Sequence, residues 1–290
     1  MKKIDNCPVC ENTSFKTFLE VKDYFLSKEK FTIVECEKCQ FHFTNPVPED
    51  HKIGEYYKSE NYVSHNSNSK GIINYLYNQV RKRTLRSKAI LVRNETEGKE
   101  LLDFGSGSGH FLSVVEKYDF NGVGIEPSKE ARDYALQSKN VKSLEADVFH
   151  QFEKQKFDVI TLWHVLEHIT NLEKDLKQMH QTLKFDGKLI VAVPNMNSYD
   201  ARHYKKFWAA YDVPRHLYHF KENDIARLML KYDFQLKKVI PMKYDAYYIS
   251  MLSEKYRTKL MPLGILIGFL SNRKAKKYGY SSQIYVFEKK

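Results

Sequence analysis

Three glycines, Gly105, Gly107 and Gly109, stand at alternate positions behind an acid, Asp103, in the run L-L-D-F-G-S-G-S-G at 101–109. Phe104 and Ser106 fill the gaps. Glycines in such a turn let a ligand approach the backbone where a Cβ would collide, and they permit positive φ. The apolar-polar run that follows, 110–118, predicts a helix whose first N–H groups add a positive dipole end. A dinucleotide fingerprint would read G-x-G-x-x-G and a phosphate loop would need G-K-[ST]; neither is present. The plain alternative is a tight strand–helix turn without a ligand. Asp103 speaks against it, because a carboxylate at the carboxyl end of a strand suits a cationic ligand group and repels a pyrophosphate.

Further candidates follow at regular intervals. Glu126 ends a second short apolar run about 20 residues on, where an acid can hold both hydroxyls of a ribose, and Pro127 opens the next helix. Asp147 and Val148 follow a third run, 141–144. Trp163, His164, Glu167 and His168 follow a fourth, 157–162, in W-H-V-L-E-H. On one helical turn His164, Glu167 and His168 share a face. Either histidine could take a proton as a base, the three could ligate a metal, or the pair Glu167-His168 could orient the loop. Asp212, Arg215, His216, Tyr218 and His219 lie in D-V-P-R-H-L-Y-H-F. Aromatics beside a guanidinium suit a planar or anionic acceptor. Cys7, Cys10, Cys36 and Cys39 form C-P-V-C and C-E-K-C. Two such knuckles are a zinc signature, and four thiolates close a tetrahedral shell, which makes the site structural.

These residues need an alternation of strands and helices to bring them together. Strands are expected at 101–104, 121–126, 141–144, 157–162, 187–193, 234–240 and 283–288. Helices are expected at 72–92, 110–118, 128–137, 172–183 and 222–231. The basic residues of the first helix, Arg81, Lys82, Arg83, Arg86 and Lys88, read as a solvated face. The polar stretch from Tyr56 and Tyr57 through Tyr62 to Lys70 reads as a segment over the ligand site or a plain linker.

In order and spacing, the motifs at 99–195 resemble a class I S-adenosylmethionine-dependent methyltransferase. The resemblance implies an α/β fold, a doubly wound, mostly parallel, Rossmann-like seven-stranded sheet with the last strand antiparallel. It implies that Asp103 with Phe104, Gly105, Ser106, Gly107 and Gly109 cradles the methionine part of S-adenosyl-L-methionine, that Glu126 and Pro127 meet the ribose, and that Asp147, Val148 and Trp163 flank the adenine side and the methyl. His164, Glu167, His168, Arg215, His216 and His219 are then candidates for the acceptor side. Some relatives carry an E-x-x-E-H metal motif; here His164 replaces its first acid.

The organisation expected is a zinc-ribbon-like domain at 1–48, a linker and helix at 49–98, and a methyltransferase domain at 99–290 with insertions at 196–221 and 241–280. A ribbon with its own zinc is expected to unfold on metal loss while the cofactor domain stays folded. Charge is uneven. Of 47 Lys and Arg and 36 Asp and Glu, residues 201–290 hold 19 and 7, so an anionic partner of the last third is expected. The apolar run 260–270, between basic clusters, suits an anionic membrane surface or packs on the protein's own core or another subunit. With no secretory pattern at the start and no 20-residue apolar run, a cytoplasmic protein is expected. A small-molecule hydroxyl or carbon, of a sugar, lipid or other metabolite, is the leading acceptor. An RNA acceptor is less favoured, because the excess charge avoids the ribbon. A non-catalytic cofactor-binding or assembly protein is the third reading.

Overall fold

The computed structural model describes residues 1–49, 51–57 and 72–290. Tyr62 and the polar stretch to Lys70 lie outside the described residues. The central sheet has seven strands: β4 (Glu100–Phe104), β5 (Asn121–Ile125), β6 (Ser143–Leu144), β7 (Phe157–Trp163), β8 (Leu183–Pro194), β10 (Phe234–Pro241) and β11 (Ser282–Lys289). Their order is β10-β11-β8-β7-β4-β5-β6. β4 through β8 pair in parallel, while β11 runs antiparallel to both β8 and β10.

Side chains alternate between the two faces of a strand, and the cores follow that period. Leu101, Val159, Ile190 and Ile284 belong to one apolar cluster, and their neighbours Leu102, Ile160, Leu189 and Tyr285 to another. The first face is covered by α1 (Ile72–Glu95), α2 (Leu112–Val115) and α3 (Lys129–Lys139), through Ala89, Val92, Leu112, Val115 and Ala135. The second is covered by α4 (Leu172–Thr182) and α6 (Glu222–Lys231), through Leu176, Met179, Leu228 and Met229. A sheet buried on both faces explains why its strands read as apolar runs. The helix expected at 110–118 is only the short α2 followed by a 3-10 turn, Glu116–Tyr118.

The N-terminal strands β1 (Phe15–Lys22), β2 (Lys30–Cys36) and β3 (His42–Thr44) form an antiparallel sheet. Its fourth strand is β9 (Tyr218–His219), from the insertion after β8. That insertion also holds α5 (Tyr199–Tyr204). Ribbon residues Val34, Cys36, Phe41 and Phe43 join the same core as Leu102 and Leu189. The segment 241–280 is a helical hairpin, α7 (Asp245–Arg257) and α8 (Gly264–Tyr278). No helix among the described residues is long and apolar enough to cross a membrane.

Candidate functional site

The site begins at the carboxyl ends of β4, β5 and β7. Gly105, Gly107 and Gly109 have φ of 78°, 52° and 71°, a region closed to most side chains. Around a Cβ built at Gly107 nothing lies within 4 Å, so that peptide faces open space; at Gly105 the Val165 side chain would stand 2.4 Å away. The loop after β7 is thus seated on the glycine turn. Glu126 accepts hydrogen bonds from Gly107 N (2.8 Å) and Ser128 N (2.9 Å), which ties the ribose-side acid to the turn. Burial raises its pKa against the pull of those two N–H groups. Asp103 is buried and accepts from Thr161 Oγ1 at 2.7 Å. Burial pushes its carboxyl up to about 7, opposed by Thr161 and by Lys88. Asp147 is exposed, in the 3-10 turn Ala146–Gln151, with Val148 beside it. Phe104 packs edge-on to Phe149 at 4.8 Å, and Pro127 is exposed ahead of α3.

Lys88 corrects the reading of α1 as a solvated basic face. Its Nζ lies 4.3 Å from the centre of the Trp163 ring. Burial lowers its pKa, and the carboxylates of Asp245 and Asp103 act to raise it. Beside it Trp163 Nε1 is buried with no hydrogen-bond partner among the described residues. A cation and an idle N–H next to Asp103 make a receptor for an anionic group, such as a carboxylate. The helical spacing held the signal: Leu85, Lys88, Ala89 and Val92 form one stripe, and Ala89 and Val92 are fully buried.

On the acceptor side, His164 takes a left-handed backbone, φ 59°, while its N–H still reaches Ala192 O. The ring contacts Asp245 Oδ2 through Nε2 (3.0 Å) and Glu167 Oε1 through Nδ1 (3.5 Å). Burial opposes its charge, but Asp245 and Glu167 outweigh burial and raise the ring to about 9. Two carboxylates thus favour the protonated form of His164, which suits a residue that holds Glu167 in place better than one that takes a proton. His168 Nδ1 lies 3.0 Å from Arg215 O and 2.9 Å from Tyr57 Oη. A carbonyl can only accept, so Nδ1 carries the proton and Nε2 keeps its lone pair. Burial, with His216 adjacent, lowers this ring to about 4. His216 Nδ1 likewise donates to Ala210 O at 2.8 Å. The two rings meet edge to face, 4.6 Å between centres.

Glu167, fully buried, faces them. Neither of its carboxylate oxygens has a hydrogen-bond partner among the described residues. Ligand atoms of Glu167, His168 and His216 all lie within 4.8 Å of one another. His164, 3.5 Å from Oε1, balances this buried carboxylate from one side, while no donor among the described residues meets its other oxygen. Two imidazoles with Nδ1–H anchored on carbonyls are in the form that ligates metals. The set fits a divalent cation, with His216, not His164, as the third ligand.

Arg215 and His219 do not face this site. Arg215 is buried and spent on Asp23 (2.9 Å), Asp212 (2.7 Å) and Tyr56 O (3.1 Å), so its guanidinium is not free for an acceptor. His219 Nε2 is 3.1 Å from Thr44 Oγ1, within the ribbon sheet. Thr44 Oγ1 also donates to His216 O, Thr44 N to Leu217 O, and Leu217 N to Glu167 O. The ribbon thereby fixes the backbone that carries His216 and Glu167. At its far end the four Cys Sγ atoms cluster within 4.8 Å, with Cys7–Cys39 and Cys10–Cys36 at 3.5 Å. Burial raises the Cys7 thiol strongly, while neighbouring N–H groups outweigh burial and lower Cys36 to about 7. Four thiols gathered this closely fit one tetrahedral zinc ion.

A family model described as "Methyltransferase domain" matches residues 75–239. The ubiquinone biosynthesis O-methyltransferase of Coxiella burnetii (strain RSA 493 / Nine Mile phase I) is 26% identical over 130 residues, 42% of this chain and 53% of that protein. N-methyltransferase 4 of Papaver somniferum is 30% identical over 119 residues, 38% of this chain and 33% of that protein. The chain thus spans about a third to a half of the length of these curated relatives. In fold it is similar to magnesium protoporphyrin IX methyltransferase from Synechocystis PCC 6803, solved with bound SAH. The TM-score is 0.56 at 14% identity, covering 83% of this chain and 100% of that one.

Proposed function

We propose, from the premise that this chain belongs to the class I S-adenosylmethionine-dependent methyltransferases, that it methylates a hydroxyl oxygen of a small-molecule acceptor beside a divalent cation. The observation that carries the reading is Glu167, buried with no hydrogen bond to either oxygen among the described residues, His164 3.5 Å from Oε1, and two lone-pair imidazoles within 4.8 Å. Glu167, His168 and His216 would hold the cation, which when bound supplies Lewis acidity to a hydroxyl. Asp103 takes the cofactor's ammonium, Lys88 and Trp163 Nε1 its carboxylate, and Glu126 its ribose. Fixing both ends of the cofactor aims the sulfonium methyl at the acceptor. The acceptor oxygen forms the new C–O bond as the C–S bond breaks, giving S-adenosylhomocysteine and one proton. His164, cationic between Asp245 and Glu167, holds the Glu167 carboxylate in place. Cys7, Cys10, Cys36 and Cys39 would hold a structural zinc that takes no part in transfer. The C. burnetii relative, named an O-methyltransferase, supports the oxygen acceptor.

The test is titration with Mn²⁺, followed by electron paramagnetic resonance, of protein carrying its zinc. Wild type should bind about one Mn²⁺ per chain. Glu167→Ala and His216→Ala should each bind it at least tenfold more weakly, with S-adenosylmethionine affinity kept. No Mn²⁺ bound by wild type, or equal binding by both variants, overturns the reading.

A further inference from the structure

The helical hairpin α7–α8 is built the wrong way round for a self-contained fold. A surface helix ordinarily buries its large apolar residues. In α8 the buried face is Gly264, Gly268, Ser271 and Ala275. The glycines are required there: a Cβ on Gly264 would stand 2.4 Å from Met251 Cα, and one on Gly268 2.8 Å from Ala246 O. This close approach packs the two helices tightly and leaves the large side chains on the outer face. Leu260 is 58% exposed, Leu263 53%, Ile265 51%, Leu266 60% and Phe269 45%. They gather around the 3-10 turn Met261–Leu263 that joins the helices.

Charge says what such a tip would meet. Residues 255–287 contain no acid and seven cations: Lys255, Arg257, Lys259, Arg273, Lys274, Lys276 and Lys277. Lys255, Arg257 and Lys259 are exposed at the shoulder of the apolar tip, and Arg273, Lys276 and Lys277 continue the exposed face of α8. An exposed apolar tip flanked by cations suits the headgroup–acyl boundary of an anionic bilayer, which receives the side chains and pairs with the cations. We infer that the hairpin tip, Leu260 with Leu263, Leu266 and Phe269, docks this protein on an anionic membrane surface. Docking leaves the site accessible: Asp245, which holds His164, begins α7, and the 13 residues of that helix span roughly 20 Å. The acceptor is then met close to a membrane.

The experiment sediments the full chain with phosphatidylcholine vesicles and with vesicles containing phosphatidylglycerol as well. Wild type should pellet with the anionic vesicles and stay in solution with the neutral ones. The double variant Leu263→Glu/Leu266→Glu should stay in solution with both. Lys255→Glu/Lys259→Glu should bind the anionic vesicles on the order of tenfold or more weakly. All four positions are exposed, so both variants should keep the wild-type melting temperature. Failure of wild type to pellet with anionic vesicles overturns the inference, as does wild-type binding by both variants. Wild-type self-association abolished by Leu263→Glu/Leu266→Glu, with no response to vesicles, also overturns it and assigns the face to a second copy.

Discussion

Lys88 shows how one residue changes the account of a site. Its neighbours Arg86 and Ile90 are exposed, but the helix turns Lys88 onto the stripe of Ala89 and Val92, above Trp163. An ammonium that is half-buried between Asp103 and Asp245 loses solvation and gains only partial compensation, hence its lowered pKa. An incoming carboxylate would complete that balance. Lys88→Met should therefore weaken S-adenosylmethionine binding by about tenfold or more, a charge-assisted contact being worth ~1.5–3 kcal/mol. Lys88→Arg should recover part of the loss. Isothermal calorimetry with S-adenosylmethionine decides it; equal affinity of wild type and Lys88→Met would remove Lys88 from the cofactor site.

At the scale of elements, the insertion after β8 is a clamp. Its strand β9 completes the ribbon sheet, and its Arg215 reaches Asp23 on the far side of that sheet. Both partners of this ion pair are buried. Burial opposes the ionisation of Asp23, but Arg215 and the N–H groups of residues 25–27 hold it at about 2. Removing one partner of a buried pair leaves the other unbalanced, at ~3–5 kcal/mol. Arg215→Ala should thus lower stability by about that amount in urea titration. An acceptor-binding role would have raised the KM and left stability alone. Unchanged stability with a raised KM would restore Arg215 to the acceptor site. Because Arg215 O and Ala210 O orient His168 and His216, the clamp also sets these two rings.

At the scale of the whole molecule, the ribbon packs directly on the methyltransferase sheet. Cys7, Cys36, Phe41 and Phe43 share one core with Leu162, Leu189 and Phe220, which predicts that ribbon and methyltransferase sheet unfold together, where a separable ribbon would unfold alone. Thermal unfolding by calorimetry should show one transition. Stripping the zinc under reducing conditions should lower that transition as a unit, and should weaken Mn²⁺ binding through loss of the Thr44–His216 contact. A ribbon transition separate from an unchanged main one would refute the shared core. The concentration of cations in the last third is explained at this scale too, since seven of them surround one hairpin whose apolar side chains the fold leaves uncovered.

The features legible in the sequence are those that local physics dictates. Glycines at 105, 107 and 109 need positive φ, acids at 103 and 126 end strands, apolar runs mark strands covered on both faces, and four cysteines in two knuckles gather as a set that fits one metal ion. These rest on neighbours in the chain or on the fixed topology of a doubly wound sheet. What tertiary structure decided involves partners far apart. Arg215 meets Asp23 across 192 positions and Tyr56 across 159, which turns an expected acceptor ligand into a clamp. His164 lies one turn from Glu167 and His168, yet its ring is held between Glu167 and Asp245, 81 positions on, while His216 joins Glu167 and His168 in the group that could hold a cation. Sequence spacing assigns residues to a helix face or a strand end; which of several histidines then shares a carboxylate depends on where distant backbone carbonyls stand to hold each ring.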